Sequence, residues 1–332
     1  MEIHRDEAGN VWTTLQGASP QALLIGGHID SVPNGGWLDG CLNILAGVEI
    51  VRRINTQYAG NPPITVRLVD WADEEGARFG RSLFGSSACS GFLDMDEARR
   101  LKDRDGIPLI GALAEHGIDF ERVKESGKEL LNAAAYLELH IEQGPVLLDK
   151  DLPLGAVLGT YGVERHAVTF RGQAAHSGST PMNKRRDAFL AAAKMSPEIY
   201  RIAERHAGVC TIGSCSTAPG IVTSVVEECR ITLDQRHLDG EALSRMLQDA
   251  REASERFAAE GNVTVSRERL LQIDPVLFDN SLTHSLRRSN PRNLWHDAPH
   301  ALRLTPRCGR SRTRRNPHRH DVRPKPPRHQ SQ

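Results

Sequence analysis

Ala22-Leu23-Leu24-Ile25-Gly26-Gly27-His28-Ile29-Asp30 is the stretch that decides the fold. A short apolar run closed by glycine forms a buried strand. A histidine and an aspartate follow directly at its C-terminal end. Two later segments repeat the pattern. Ile64 to Trp71, β-branched and alternating at first, delivers Asp73-Glu74-Glu75-Gly76. Ala134 to Leu139 ends at His140-Ile141-Glu142-Gln143-Gly144.

Between the first two strands lies a glycine-rich loop, Pro33-Asn34-Gly35-Gly36, then Leu38-Asp39-Gly40. Ile44, Leu45, Val48, Val51 and Ile54 then recur at helical spacing, and Asn61-Pro62-Pro63 breaks that helix. Residues 92–130 read as helical and polar. Strand–helix alternation of this kind predicts an α/β fold with a mostly parallel sheet. In such sheets, sites gather beyond the carboxyl ends of the strands.

From about residue 160 the pattern changes. Val163–Phe170 is strand-like, and Gly172 begins a turn. Asp187–Glu204 and Gly240–Ala259 read as long helices. Thr211–Gly213, Ile221–Val226, Cys229–Leu233 and Val263–Val265 read as short strands. This mixture predicts a compact α+β sandwich inserted in the larger domain. The expected boundaries are 1–162 for the first part of the α/β domain, 163–272 for the insert, 273–289 for the return, and 290–332 for a tail.

The 332-residue chain is 39% hydrophobic and 25% charged, an ordinary balance for a folded soluble protein. No run approaches the ~18 apolar residues of a membrane span. No secretory signal is visible at Met1–Asp6, so a cytoplasmic location is expected. The six cysteines form no C-x-x-C pair and read as reduced thiols, with no disulfide framework or zinc knuckle.

The net charge of zero hides a split. Residues 290–332 hold 11 basic and 2 acidic residues, against 31 basic and 40 acidic in the rest. That tail also holds seven prolines and five histidines, with almost no apolar periodicity. It reads as a disordered basic extension. A nucleic-acid arm is the functional alternative, and a charge run without a folded reading module is weak support for it. A third reading is translation out of frame, suggested by runs such as Arg310-Ser311-Arg312-Thr313-Arg314-Arg315. No nucleic-acid or membrane partner is expected.

Each acidic or histidine-bearing segment alone is ambiguous. A lone histidine at a strand end is usually structural, Glu74-Glu75 could be solvated surface, and Asp39 could cap a helix. Their joint occurrence at strand ends points to a pair of divalent cations. Imidazole and carboxylate donors suit zinc, with manganese, cobalt or nickel as alternatives. Two such ions can activate water and polarise a carbonyl.

Four strings together resemble one family. They are Gly27-His28-Ile29-Asp30-Ser31-Val32-Pro33-Asn34-Gly35-Gly36, Ala72-Asp73-Glu74-Glu75-Gly76-Ala77-Arg78-Phe79, His140-Ile141-Glu142-Gln143-Gly144-Pro145 and Ala175-His176-Ser177-Gly178-Ser179-Thr180-Pro181-Met182. From about Asp6 to about Asp279 the chain resembles the zinc-dependent amidohydrolases that include N-carbamoyl-L-amino-acid hydrolases, β-ureidopropionase and allantoate amidohydrolase. These belong with the aminoacylase and carboxypeptidase-like dinuclear metallohydrolases. The resemblance implies a zinc-exopeptidase type catalytic domain and an inserted lid that also forms a homodimer. It implies His28 and His140 on one metal, Asp39 bridging and Glu75 on the other. Glu74 becomes the general base acting on a metal-bound water, and His176 the oxyanion donor. Gln143 and Arg236 become substrate contacts, with a surface ion pair as the plain alternative for Arg236. The implied substrate is an N-carbamoyl or ureido amino acid, with allantoate, an amide or a dipeptide as alternatives.

The chain also departs from the family. Ile221-Val222-Thr223-Ser224-Val225-Val226 stands where a Val-Asn-Val-Ile-Pro-Gly-like stretch is usual. The helical segment expected before the first strand is missing. A Gly-Ala-Gly-His-Asp-Ala-like stretch and the last ligand histidine, in a Gly-x-Ser-His-like motif, have no match. His296, His300, His318, His320 and His329 have the wrong neighbours. The alternative to an active enzyme is therefore a binding protein or impaired remnant lacking one metal ligand.

Overall fold

The computed structural model describes residues 1–288 and the backbone of residues 295–298. The readings of the tail as disordered, basic or out of frame fall outside the described residues, apart from that one short backbone stretch.

The first sheet contains β1 (Glu2–Arg5), β2 (Val11–Leu15), β3 (Ser19–Gly27), β4 (Ile64–Asp70) and β5 (Ala133–Glu138), in the spatial order β1-β2-β4-β3-β5. The pairs β3–β4 and β3–β5 are parallel. The pairs β1–β2 and β2–β4 are antiparallel. The sheet is thus mixed, which corrects the expectation of a mostly parallel one. The cause is local. β1 and β2 form a hairpin closed by Asp6, whose carboxylate accepts from the backbone N–H of Ala8 and Asn10 and from the side chains of Asn10 and Trp12. A tight turn can join only antiparallel strands.

β3 is buried on both faces, as its unbroken apolar run predicts. Ile25 packs with Leu15, Ile44, Val51, Val66 and Leu68 on one side. Leu24 packs with Trp12, Val69 and Trp71 on the other. Helix α1 (Cys41–Gln57) covers the first side. It approaches so closely that a Cβ on Gly47 would lie 2.5 Å from Leu68 Cδ1. Only part of the predicted apolar stripe faces the sheet: Ile44 and Val51 are buried, whereas Leu45 and Val48 are exposed. The stretch 92–130 is less helical than its composition suggests. It holds the short helices Met95–Arg99 and Leu109–Glu115 and a 3₁₀ segment, Phe120–Leu130, which bury Leu109, Ala112, Phe120 and Val123.

The second sheet is wholly antiparallel. It contains β6 (Gly162–Arg171), β7 (Val209–Ala218), β8 (Glu228–His237) and β9 (Thr264–Ile273), in the order β7-β8-β6-β9. The strands outrun the short segments read from the sequence, because polar residues alternate with the buried ones along each pair. Helices α2 (Ala188–His206) and α3 (Gly240–Glu260) cover one face. Each begins on an aspartate cap: Asp187 accepts from Phe189 and Leu190 N–H, and Asp239 from Ala242 N–H. Met195, Ile199, Ile202 and Met246 fill the space between helices and sheet.

Candidate metal centre

The parallel trio β3, β4 and β5 explains the site. Neighbouring parallel strands end at the same edge, so the residues just past Gly27, Asp70 and Glu138 converge. His28 follows β3, the Asp73–Glu75 turn follows β4, and His140 follows β5. Asp39 enters from the loop before α1. Gly40 lets that loop pass, since its φ is +79° and a Cβ there would meet the His28 carbonyl oxygen at 2.4 Å.

His28, Asp39 and His140 bring one donor atom each within 4.8 Å of one another, and so do His28, Glu74 and Glu75. Asp39 Oδ1 lies 3.3 Å from His140 Nε2 and 3.5 Å from His28 Nε2. The other imidazole nitrogens point to backbone carbonyls: His28 Nδ1 to Asp30 at 2.8 Å and His140 Nδ1 to Ile141 at 2.8 Å. Donation there places the proton on Nδ1 and leaves each Nε2 as a lone pair. Two lone pairs and a carboxylate oxygen therefore face one point. Asp39 Oδ1 is buried and takes no hydrogen bond. This donor set fits a divalent cation.

The turn after β4 presents both glutamates. Asp73 has φ +48°, and Glu74 Oε2 is 3.6 Å from His28 Nε2. Burial, then the Asp39 charge, raises the Glu75 carboxyl above its ordinary range, while His28 and His140 oppose the shift. A cation at this point would reverse that balance.

Asp30 stands in the first motif of the sequence but was given no role there. Its carboxylate accepts the backbone N–H of Glu74 at 3.2 Å and of Glu75 at 3.0 Å, while its carbonyl holds His28. Its position two residues after His28 was the available signal. Glu138 is a second residue given no role. It accepts from Tyr136 Oη at 2.6 Å and Asn43 Nδ2 at 3.2 Å, tying β5 to α1 beneath the two histidines. No motif pointed to it.

The remaining predicted residues sit as follows. Gln143 Nε2 donates to Asp39 Oδ2 at 2.6 Å, so it touches the cluster directly. His176 lies in a two-residue strand paired with Ser224. Its Nδ1 accepts the N–H groups of Gly178 and Ser179, which places the proton on Nε2. Arg236, on β8, is gripped by Asp234 through Nε at 2.6 Å and Nη2 at 3.1 Å. Arg165 shares that carboxylate at 2.6 Å, so the ion pair read as the plain alternative is present. The expected final histidine has no matching motif in the sequence, and the side chains of His296, His300, His318, His320 and His329 lie outside the described residues.

The model of peptidase family M20/M25/M40 matches residues 24–303. The chain belongs to that family. It is 38% identical to an N-carbamoyl-L-amino acid amidohydrolase of Geobacillus stearothermophilus over 291 residues, covering 86% of this chain and 70% of that protein. It is 31% identical to the allantoate amidohydrolase of Escherichia coli K12 over 290 residues, covering 86% of this chain and 70% of that protein. Among solved structures, it is similar to a hydantoinase/carbamoylase family amidase from Burkholderia ambifaria, with 34% identity and a TM-score of 0.78 over 87% of this chain and 71% of that one. No helix among the described residues is long and apolar enough to cross a membrane.

Proposed function

We propose that this M20-family chain hydrolyses the C–N bond of N-carbamoyl, or ureido, amino acids with two divalent cations, zinc foremost. The observation that carries the reading is the buried Asp39 oxygen facing two imidazole lone pairs, with Glu74 and Glu75 alongside. The 38% identity to an N-carbamoyl-L-amino acid amidohydrolase supports the substrate class.

His28, Asp39 and His140 would hold the first cation, with Asp39 and Glu75 reaching toward the second. When bound, the cations acidify water and polarise the ureido carbonyl. Glu74 takes the proton of the attacking water and delivers it to the leaving nitrogen. His176 donates from Nε2 to the developing oxyanion. Arg236, braced by Asp234, grips the substrate carboxylate, and Gln143 orients the ureido group. Residues 1–162 and 273–289 form the catalytic part of this reading, and residues 163–272 the lid and homodimer surface. The reading places the enzyme in the cytoplasm.

A second substrate, allantoate, is favoured by the 31% identity to the E. coli enzyme. The deciding experiment incubates the metal-loaded full chain with N-carbamoyl-L-amino acids and with allantoate. Free amino acid and ammonia released faster from the carbamoyl compounds supports the proposal. Faster cleavage of allantoate overturns the substrate, and cleavage of neither overturns the activity.

A further inference from the structure

The five cysteines among the described residues are free thiols, and two of them face each other. Cys215 on β7 and Cys229 on β8 have Sγ atoms 3.6 Å apart. The strands are antiparallel neighbours, with Cys215 opposite Ile231 and Cys229 opposite Thr217. The two cysteines are therefore diagonal partners on one face of the sheet. Their surroundings differ sharply. Cys215 is exposed on a strand at the sheet edge. Cys229 is fully buried in the core with Phe170 and Ile231. Other thiols have other partners: Cys89 donates to the Ser126 carbonyl, and Gln235 donates to Cys210.

We propose that Cys215 and Cys229 form a reversible peroxide-oxidation site. The Cys215 thiolate attacks one oxygen of hydrogen peroxide. The O–O bond breaks, giving a sulfenic acid on Cys215 and hydroxide, which takes up the proton that the thiol released. The Cys229 sulfur then attacks the Cys215 sulfur and the S–O bond breaks. The oxygen leaves as water with the Cys229 proton. Two thiols and one peroxide become one disulfide and two waters.

The roles follow from exposure. Peroxide reaches Cys215 first, and the thiolate is the nucleophile. Burial pushes the Cys229 thiol up to about 12, so it acts second, by proximity. The sulfurs must close from 3.6 Å to about 2.05 Å, and because diagonal strand neighbours lie about 7–8 Å apart, against roughly 4.4–6.8 Å between the Cα atoms of a disulfide, β7 must move toward β8 as the bond forms. The bond would divert Cys215 from irreversible sulfinic acid. It would also pin β7 three residues before its end at Ala218, at the root of the segment that reaches Ser224, the strand partner of His176.

The test uses the full-length folded protein. No lysine or arginine lies between Arg205 and Arg230, so one tryptic peptide holds Cys210, Cys215 and Cys229. After peroxide, alkylation and non-reducing digestion, that peptide should have lost two hydrogens and carry one alkyl group, on Cys210. Dithiothreitol should restore all three alkylation sites. In Cys229→Ser, Cys215 should advance to sulfinic acid instead. Sulfinic Cys215 beside an alkylated Cys229 in the wild type would overturn the proposal. So would an unoxidised wild-type peptide, or loss of two hydrogens that persists in Cys215→Ser.

Discussion

Gln143 Nε2 donates to Asp39 Oδ2 at 2.6 Å, on the opposite side of the carboxylate from the oxygen that faces His28 and His140. One carboxylate thus serves two neighbours, and a cation bridging through Oδ2 must displace the amide. A hydrogen bond to a charged group is worth about 1.5–3 kcal/mol. Gln143→Leu should therefore tighten binding of a second zinc ion by roughly tenfold or more, since 1.4 kcal/mol is tenfold. Calorimetric titration reads this directly. Weaker binding in the variant would mean that the amide orients Asp39 for the metal.

Asp30 holds both glutamate amides and, through its carbonyl, the His28 ring. Partners of this sort typically contribute 10–100-fold to metal affinity. Asp30→Ala should lower zinc affinity by about that factor while leaving every ligand atom in the chain. An affinity within twofold of wild type would remove Asp30 from the site.

Burial pushes the Asp70 carboxyl up to about 6. Its folded pKa exceeds its unfolded one, so the folded state binds the proton more tightly. In chelator, the Asp70 contribution to stability should be largest below about pH 4 and be lost as pH rises through about 6. Asp70→Asn should flatten this slope and gain roughly 1 kcal/mol at neutral pH, allowing for solvent screening. Urea midpoints across that range check it, and parallel profiles for the two proteins would contradict it.

Ile199 is fully buried between α2 and the second sheet. Ile199→Ala should cost about 2–5 kcal/mol. Its zinc affinity should match wild type, because the ligand cluster rests on the other sheet. Urea denaturation paired with zinc titration measures both, and a lost affinity would show that the metal cluster depends on this core.

Much of this was legible in the sequence. The buried run at Ala22–Gly26 and the capped helix after Asp187 each carry their own periodicity or cap, so they read correctly. The gathering of His28, Glu74, Glu75 and His140 was legible because these residues follow strands that end together. The antiparallel half of the first sheet was not, since the Asp6 hairpin depends on a carboxylate folding back on its own backbone. Glu138 was equally hidden. Its role comes from Asn43, ninety-five residues away, and neither residue has a distinctive neighbourhood in the chain. Exposure of Leu45 and Val48 shows the limit of periodicity, which marks an apolar face without saying what lies against it.

Zinc titration of the metal-free full chain, beside His140→Ala, tests the central assignment most directly. The wild type should show a tight equivalent that competes with a chelator. The variant, lacking one of the three donors His28, Asp39 and His140, should bind it at least about 100-fold more weakly, beyond the 10–100-fold typical of supporting residues. Equal affinity in the two proteins would contradict a cation held by His28, Asp39 and His140.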